Sequence, residues 1–367
     1  MRTLVDCRWL GNGGPGRATE LLLRGAYEMQ PEGEWMLWGT AEVEAYLWPG
    51  ATACLSGRSP RKLGAQAAPF RVPVHDRALY LHQLRPLVST RPAVTLVHDT
   101  IPLRYERRPL IRAAKYAYLR LACSRSVGIL TVSSHSADQI ARDLAVERSR
   151  IRVLEYPIDS DAVRRIRALR ESMTDSGGYV IYVGRLAPHK NVEMLIRAFS
   201  RTAYAAGGGT LMIVCANSGE GRRVETWALQ AGVANAVVPM WGLSQEHLES
   251  VFAGADALVQ PSTDEGFGLP VWEARSCGLP RCVSAIEPLM SLSGADAVRF
   301  DPTDVTGMAH AIDDVVLEPW AEPLLHAPTV RDFAAAVLDG LEHFAPSPPS
   351  VGGRLRQPRQ LAREAGE

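Results

Sequence analysis

The sequence has few cysteines, no excess of charge of either sign and no long apolar run, and each shortage excludes a class of protein. Its six cysteines are dispersed without a CxxC pair, which argues against a zinc site and fits a reducing compartment. The 40 Lys and Arg residues balance 40 Asp and Glu residues, so nothing in the whole chain indicates a nucleic-acid binder. No stretch approaches the ~18 apolar residues of a membrane span. The first apolar run ends at Asp6, too early for a signal peptide, so a cytoplasmic protein is expected.

The length and the apolar pattern predict two α/β domains. A chain of 367 residues suits two cores of roughly 100 to 200 residues each. Short apolar runs alternate with longer amphipathic stretches, which predicts strand–helix units and parallel sheets. A charged linker separates an N-terminal domain, 1–160, from a C-terminal domain, 177–330. The helix predicted at 331–344 is expected to pack back on the N-terminal domain, and the tail at 345–367, which lacks an apolar face, is expected to be disordered.

The most informative segment is EGFGLPVWE, residues 265–273, directly after an apolar run at 257–260. Ligands of parallel sheets bind beyond the carboxyl ends of strands, and glycines at a helix start let backbone N–H groups approach a ligand. Glu265 and Glu273 are expected to face the same side of a cleft, one holding a sugar and the other a ribose. The alternative is an ordinary strand-to-helix turn.

A second segment, GRLAPHKN at 184–191, also joins a predicted strand to a predicted helix. The guanidinium of Arg185 and the ammonium of Lys190 suit a pyrophosphate and the charge that develops on it as it leaves. Asn191 is expected to cap the following helix. Two solvated surface cations are the alternative, which their place at the end of a strand disfavours.

Two segments of the N-terminal half are further candidates. The run GNGGPGR at 11–17 is neither a Walker loop nor a regular GxGxxG, and it is expected to form a turn before a helix that begins near Ala18. His98 follows the apolar run at 94–97 and can hydrogen-bond a sugar hydroxyl or the reacting groups. A plain turn and a structurally satisfied histidine are the alternatives.

Taken in order, these segments resemble the retaining glycosyltransferases of family 4, which have the GT-B fold: two Rossmann-like, doubly wound domains that face each other across a cleft. The resemblance covers about residues 3–344 and rests on these segments and on GLP at 278–280. It departs from the family pattern at 275–277 and 281–282, where this chain has RSC and RC. We interpret both departures as variations in packing.

The resemblance implies a role for each matched residue. Arg185 and Lys190 would bind the donor diphosphate, Glu273 the ribose hydroxyls and Glu265 the transferred sugar, with His98 beside that sugar. The remaining predicted donor contacts come from backbone at the two glycine-containing helix starts, namely Gly13, Gly14, Gly266, Phe267, Gly268 and Leu269. The predicted catalytic residues are thus His98, Arg185, Lys190 and Glu265.

The resemblance also implies the chemistry. The anomeric configuration would be retained, with the leaving phosphate taking the acceptor proton, so neither a side-chain nucleophile nor a metal or other cofactor is required. The form HDxIPL at 98–103 is similar to that of mannosyltransferases, which favours GDP-mannose over UDP-sugars as donor. A non-catalytic sugar-nucleotide-binding subunit of the same fold is the alternative. A Rossmann dehydrogenase is disfavoured because the glycine loop is irregular and no acidic residue about 20 positions later ends a second strand.

The acceptor is expected to be a glycan or a lipid-linked glycan. The stretch 104–125 carries seven Lys and Arg residues against one Glu, interleaved with leucines and tyrosines. Such a pattern suits an anionic membrane surface, which predicts peripheral binding at the inner face of the plasma membrane. A solvated basic helix packed on its sheet is the alternative.

Overall fold

Two parallel sheets organise the chain. The computed structural model describes residues 1–11, 13–55, 74–87, 91–173, 178–324 and 328–345. The N-terminal sheet has the strand order β3-β2-β1-β4-β5-β6-β7. Its strands are β1 (Arg2–Asp6), β2 (Glu34–Gly39), β3 (Ala51–Leu55), β4 (Arg77–Tyr80), β5 (Ala93–Leu96), β6 (Gly128–Thr131) and β7 (Ile151–Val153). The C-terminal sheet has the order β10-β9-β8-β11-β12-β13. Its strands are β8 (Tyr179–Val183), β9 (Thr210–Val214), β10 (Val237–Met240), β11 (Ala257–Gln260), β12 (Arg281–Ser284) and β13 (Val298–Phe300).

Both sheets are doubly wound, as expected. Every strand pair described is parallel, and helices follow most strands. Central strands such as β4, β5 and β11 are buried at every residue because helices cover both faces. The strand order reverses beside β1 and β4 in one sheet and beside β8 and β11 in the other, and such reversals open a crevice for ligands at the carboxyl ends of the strands.

The helices lie on both sides of these sheets. In the first half they are α1 (Gly13–Met29), α2 (Ile101–Arg104), α3 (Pro109–Ser124), α4 (Ser134–Leu144) and α5 (Ser160–Ser172). In the second half they are α6 (Val192–Phe199), α7 (Ala203–Ala206), α8 (Ser218–Gln230), α9 (Gln245–Gly254), α10 (Leu269–Cys277), α11 (Leu289–Ser293), α12 (Val305–Val315) and α13 (Val330–Phe344). Across the described ranges, no helix combines the length and apolarity that a membrane span needs.

The last helix belongs to the N-terminal core. Phe333, Val337 and Leu341 of α13 are buried with residues of the N-terminal sheet. Gly25 of α1 lets the two helices approach closely, since a Cβ there would lie 2.5 Å from the Val330 carbonyl oxygen. The proposed tail disorder concerns residues that, apart from Ala345, lie outside the described ranges.

Two local expectations were wrong. Helix α1 begins at Gly13 and not near Ala18, so most of the expected glycine turn is the first helical turn. The reason is tight packing: a Cβ at Gly16 would lie 2.6 Å from the Trp9 carbonyl oxygen, so only glycine fits there, and Pro15 loses no hydrogen bond in the first turn. Asn191 does not cap α6, because its backbone is left-handed, with φ of 57°, and its side-chain amide donates to the Pro302 carbonyl at 2.8 Å.

Candidate functional site

Glu265 and Lys190 form the centre of the candidate site. Glu265 follows β11 and is 4 % exposed. Its Oε1 accepts hydrogen bonds from Lys190 Nζ at 2.6 Å, Ser262 Oγ at 2.8 Å and Gln260 Nε2 at 2.9 Å. Lys190 ends a short 3-10 turn after β8, and β8 is the neighbour of β11 in the sheet. The two side chains therefore meet because parallel neighbouring strands end at the same edge.

His98 and Asp99, which follow β5, lie on the N-terminal side of this centre. Both are partly buried. Loss of hydration lowers the pKa of His98 to about 4, so the imidazole is neutral at pH 7, and its Nε2 is buried without a hydrogen-bond partner among the described residues. Burial raises the pKa of Asp99 to about 6; the carboxylates of Glu265 and Asp264 act in the same direction and Lys190 opposes them.

Arg185 and Gly14 line the large cleft between the domains, which measures about 1170 Å³. The N-termini of α1 and α10 meet beside it, since a side chain at Gly14 would lie 3.8 Å from Leu269 Cδ1. Each helix start presents unpaired N–H groups and the positive end of the helix dipole. Two such ends together with the Arg185 guanidinium make this region favourable for an anion.

Glu273 lies elsewhere. It lines a separate small cavity of about 50 Å³ with Arg17 and Tyr156, between α1, α5, α9 and α10. Burial raises its pKa to about 7, Arg17 acts in the lowering direction, and Asp159 reinforces the rise. The structure thus brings Lys190 and Glu265 together, and Arg185 and Gly14 together, whereas Glu273 faces the N-terminal helix.

Part of the chain matches a known protein family. Residues 170–328 match the model of the family described as Glycosyl transferases group 1. The chain carries a glycosyl transferases group 1 domain. That domain contains β8 to β13, so Arg185, Lys190, Glu265 and Glu273 all belong to it.

The proteins to which this chain is similar include mannosyltransferases. It is 28% identical to O-antigen chain mannosyltransferase B of Escherichia coli, over 68% of this chain and 66% of that protein. It is 26% identical to O-antigen chain mannosyltransferase RfbU of Salmonella typhimurium, over 64% and 63% respectively. The chain therefore spans slightly less than two thirds of these relatives. It is also 28% identical to D-inositol 3-phosphate glycosyltransferase of Mycolicibacterium smegmatis, over 80% and 71%.

Solved structures confirm the GT-B fold. Anabaena Alr3699/HepE in complex with UDP and glucose superposes with a TM-score of 0.64 at 17% identity, over 94% of this chain and 95% of that one. WaaG, a glycosyltransferase involved in lipopolysaccharide biosynthesis, superposes with the same TM-score at 15% identity, over 95% and 96%.

Several residues of the site were not singled out from the sequence. Gln260 and Ser262 hold Glu265, and Ser133 and Ser136 of the N-terminal domain donate to the Gly266 carbonyl oxygen at 2.6 and 2.9 Å. Ser133 is also the N-cap of α4, since its hydroxyl accepts from the Ser136 N–H at 3.0 Å. Nothing in its spacing indicates a partner 133 positions away. A metal-binding group of three or more His, Cys, Asp or Glu side chains is not found within the described residues.

Proposed function

We propose that this chain is a retaining, metal-independent glycosyltransferase that moves a hexose, with mannose favoured, from a nucleotide diphosphate sugar to an acceptor hydroxyl. The observation that carries the proposal is the setting of Glu265 in the family-matched domain, opposite His98 and Asp99. Its three hydrogen bonds all go to Oε1, which leaves Oε2 for a sugar hydroxyl. A buried carboxylate fixed in this way is preorganised for such a contact.

The diphosphate would lie between the N-termini of α1 and α10, with Arg185 beside it. The bond between the anomeric carbon and the β-phosphate oxygen breaks, and the bond from the acceptor oxygen forms on the same face of the sugar. The acceptor proton passes to the leaving phosphate oxygen. Helix dipoles, Arg185 and Lys190 stabilise the negative charge that this departure creates. His98, neutral at pH 7, serves as a hydrogen-bond partner of the sugar and not as an acid.

Two arguments support mannose. The sequence at 98–103, HDTIPL, is similar to the form found in mannosyltransferases, and two relatives are named as O-antigen chain mannosyltransferases. We therefore propose GDP-mannose as the donor, in the synthesis of a polysaccharide or another glycoconjugate.

The test is a donor panel scored by nucleotide release, with GDP-mannose, UDP-glucose and NAD as the compounds. Wild type is expected to release GDP from GDP-mannose, and Glu265→Ala and Lys190→Ala are expected to lose most of that release. Glu225→Ala, which changes an exposed glutamate of the same domain, is the matched control. Undiminished release in both site variants would overturn the site. Binding of GDP without release in wild type would favour a non-catalytic subunit.

The acceptor side of the cleft is largely apolar, which supports a lipid-linked acceptor over a free glycan. Trp9, Leu110, Ile111, Ala114 and Leu119 line it from the N-terminal domain. Apolar walls of this kind bind hydrocarbon far better than they bind sugar hydroxyls. An alkyl mannoside with a long chain is therefore expected to be a better acceptor than methyl mannoside.

The same region supports peripheral membrane binding. On α3, Leu110 is 84% exposed and Leu121 is 39% exposed. Arg112 of α3 and Arg107, which precedes the helix, take part in no ion pair among the described residues. Exposed leucines beside unpaired cations suit an anionic bilayer surface.

Vesicle flotation tests this proposal. Wild type is expected to float with vesicles containing phosphatidylglycerol and not with pure phosphatidylcholine, and the double variant Leu110→Ser, Leu121→Ser is expected to stay in the soluble fraction. Leu229→Ser, at a 71% exposed leucine of the other domain, is the control. Equal recovery of wild type with and without anionic lipid would end the proposal.

A further inference from the structure

The segment that carries Glu265 is held from the N-terminal domain at successive residues. Tyr105 OH lies 3.1 Å from Thr263 Oγ1, and Arg104 Nη2 lies 2.7 Å from the Asp264 carboxylate. The hydroxyls of Ser133 and Ser136 both donate to the carbonyl oxygen of Gly266, at 2.6 and 2.9 Å. The donor segment is therefore shaped by residues of the opposite domain as well as by its own.

The two serine hydrogen bonds fix the direction of a peptide unit. A carbonyl oxygen has two lone pairs, so it can accept from both hydroxyls at once. In a planar trans peptide the C=O and the next N–H point in opposite directions. Holding the Gly266 carbonyl towards α4 consequently aims the Phe267 N–H away from α4. Phe267 N–H is one of the groups predicted to contact the donor.

The segment packs closely against Asp99. A Cβ on Gly266 would lie 2.9 Å from Asp99 Oδ2, closer than real Cβ contacts, and 3.1 Å from Asp99 Cβ, so a larger residue here would displace the Asp99 side chain. Ser136 is fully buried beside Gly266, and the Ser133 hydroxyl is itself held because it accepts the Ser136 N–H. Both donors are thus fixed before any substrate arrives.

We propose that Ser133 and Ser136 are positioning residues for sugar transfer: they orient the Gly266–Phe267 peptide, so contact between the two domains completes the donor site. This inference rests on the proposed glycosyltransferase function and assigns to α4 a part in it. The serines touch neither the sugar nor the phosphate. They act through the peptide, and only while the domains are together.

The experiment compares kcat for GDP-mannose turnover with the Kd for GDP measured by calorimetry. Ser136→Ala removes one donor, and Ser134→Ala changes an exposed serine in the same turn as the matched control. Loss of a preorganised donor lowers kcat, so we expect a fall of about tenfold for Ser136→Ala, less than for a direct transition-state donor. Because Arg185 and the helix starts remain, Kd for GDP is expected to stay within about twofold.

Substitutions of Ser133 provide a second test of the same proposal. Ser133→Ala loses both the cap and the donated bond, whereas Ser133→Thr keeps a hydroxyl and caps helices nearly as well. Threonine is expected to restore kcat, and the thermal midpoint measured alongside separates loss of the cap from loss of positioning. A Ser136→Ala enzyme with the kcat of Ser134→Ala would overturn the inference, as would a parallel loss of kcat and GDP affinity.

The proposed function fails on a different result. If wild type neither binds GDP nor releases nucleotide from any donor, the function is wrong. If wild type turns over and the serine variants match it, the function stands and the positioning role falls.

Discussion

Replacing Glu273 by Gln is expected to stabilise the folded protein at neutral pH and to weaken nucleotide binding. Glu273 lies beside Arg17 in its cavity, yet Arg17 directs its hydrogen bonds to Glu20 and Asp159. Within the described part of the chain, no hydrogen bond or ion pair engages the Glu273 carboxylate. Burial therefore raises its pKa from 4.5 to about 7. A buried, ionised carboxylate without a hydrogen-bond partner lowers the stability of the folded protein, and a ribose hydroxyl would supply the missing partner.

The size of the stabilisation by Glu273→Gln and its dependence on pH follow from the pKa of Glu273. Unfolded chains lose the Glu273 proton near pH 4.5, whereas the folded protein keeps it until about pH 7. Between these values the folded state binds more protons, so its stability falls as the pH rises through that window. The difference between the two pKa values corresponds to about 3 kcal/mol. Because Glu273 retains some contact with solvent, we expect Glu273→Gln to be about 2 kcal/mol more stable at pH 8 and equal to wild type near pH 4.

Urea unfolding at a series of pH values measures this difference. The gap between wild type and Glu273→Gln should open from pH 4.5 to pH 7 and stay constant above, while Glu225→Gln, at an exposed site, should show none. At pH 8 the loss of a charge-assisted hydrogen bond should weaken GDP binding about fivefold. A gap independent of pH, or a less stable variant at pH 8, would refute the reasoning.

Three further predictions test the rest of the site. Lys190→Met leaves the buried Glu265 carboxylate without its cation and should lower the free energy of unfolding by about 2 kcal/mol, an effect that Glu265→Gln should partly cancel in a double-mutant cycle. Arg104→Gln and Asp264→Asn should each lower kcat, and the effects of the two substitutions should not be additive in the double variant. The coupling energy between them should be about 1 kcal/mol and should decrease in high salt. Fully additive effects on kcat would argue against the contact between Arg104 and Asp264. His98→Gln should make the stability of the protein less sensitive to acid. The unfolded chain takes up the His98 proton near pH 6.5 and the folded protein only near pH 4, so wild type loses stability as the pH falls across that range. If urea unfolding gave the same dependence of stability on pH for the variant and wild type, this prediction would be contradicted.

Sequence patterns located the elements well where a local signal was complete. Strand β11 has the same limits as the apolar run at 257–260, because that run has clear boundaries. Helix α4 begins at Ser134, since Ser133 caps it. From such elements the alternation of strands and helices follows, and with it the two doubly wound sheets. The family resemblance added the pairing of those sheets across a cleft.

The features that local sequence patterns did not predict depend on contacts between distant residues. The glycine run at the start of α1 resembles a loop in composition, but close packing against Trp9 makes it helical. The orientation of Glu273 towards Arg17 depends on how α10 approaches α1, which no local period encodes. Arg104 was grouped with a basic surface stretch because its charge alone is visible in the sequence. Its contact with Asp264, 160 residues away, appears only once the two domains face each other.

These long-range contacts explain why both domains are required around one short segment. The C-terminal domain fixes Glu265 through Lys190, Gln260 and Ser262, whereas the Gly266 carbonyl oxygen accepts its hydrogen bonds from Ser133 and Ser136 of the N-terminal domain. Separation of the domains would leave the carboxylate in place and release the Gly266 carbonyl. Nucleotide can therefore bind before the domains close, but the Phe267 N–H group is aimed at the donor only after they have closed. On this argument closure contributes to catalysis by completing the charge-stabilising groups, and not only by excluding water.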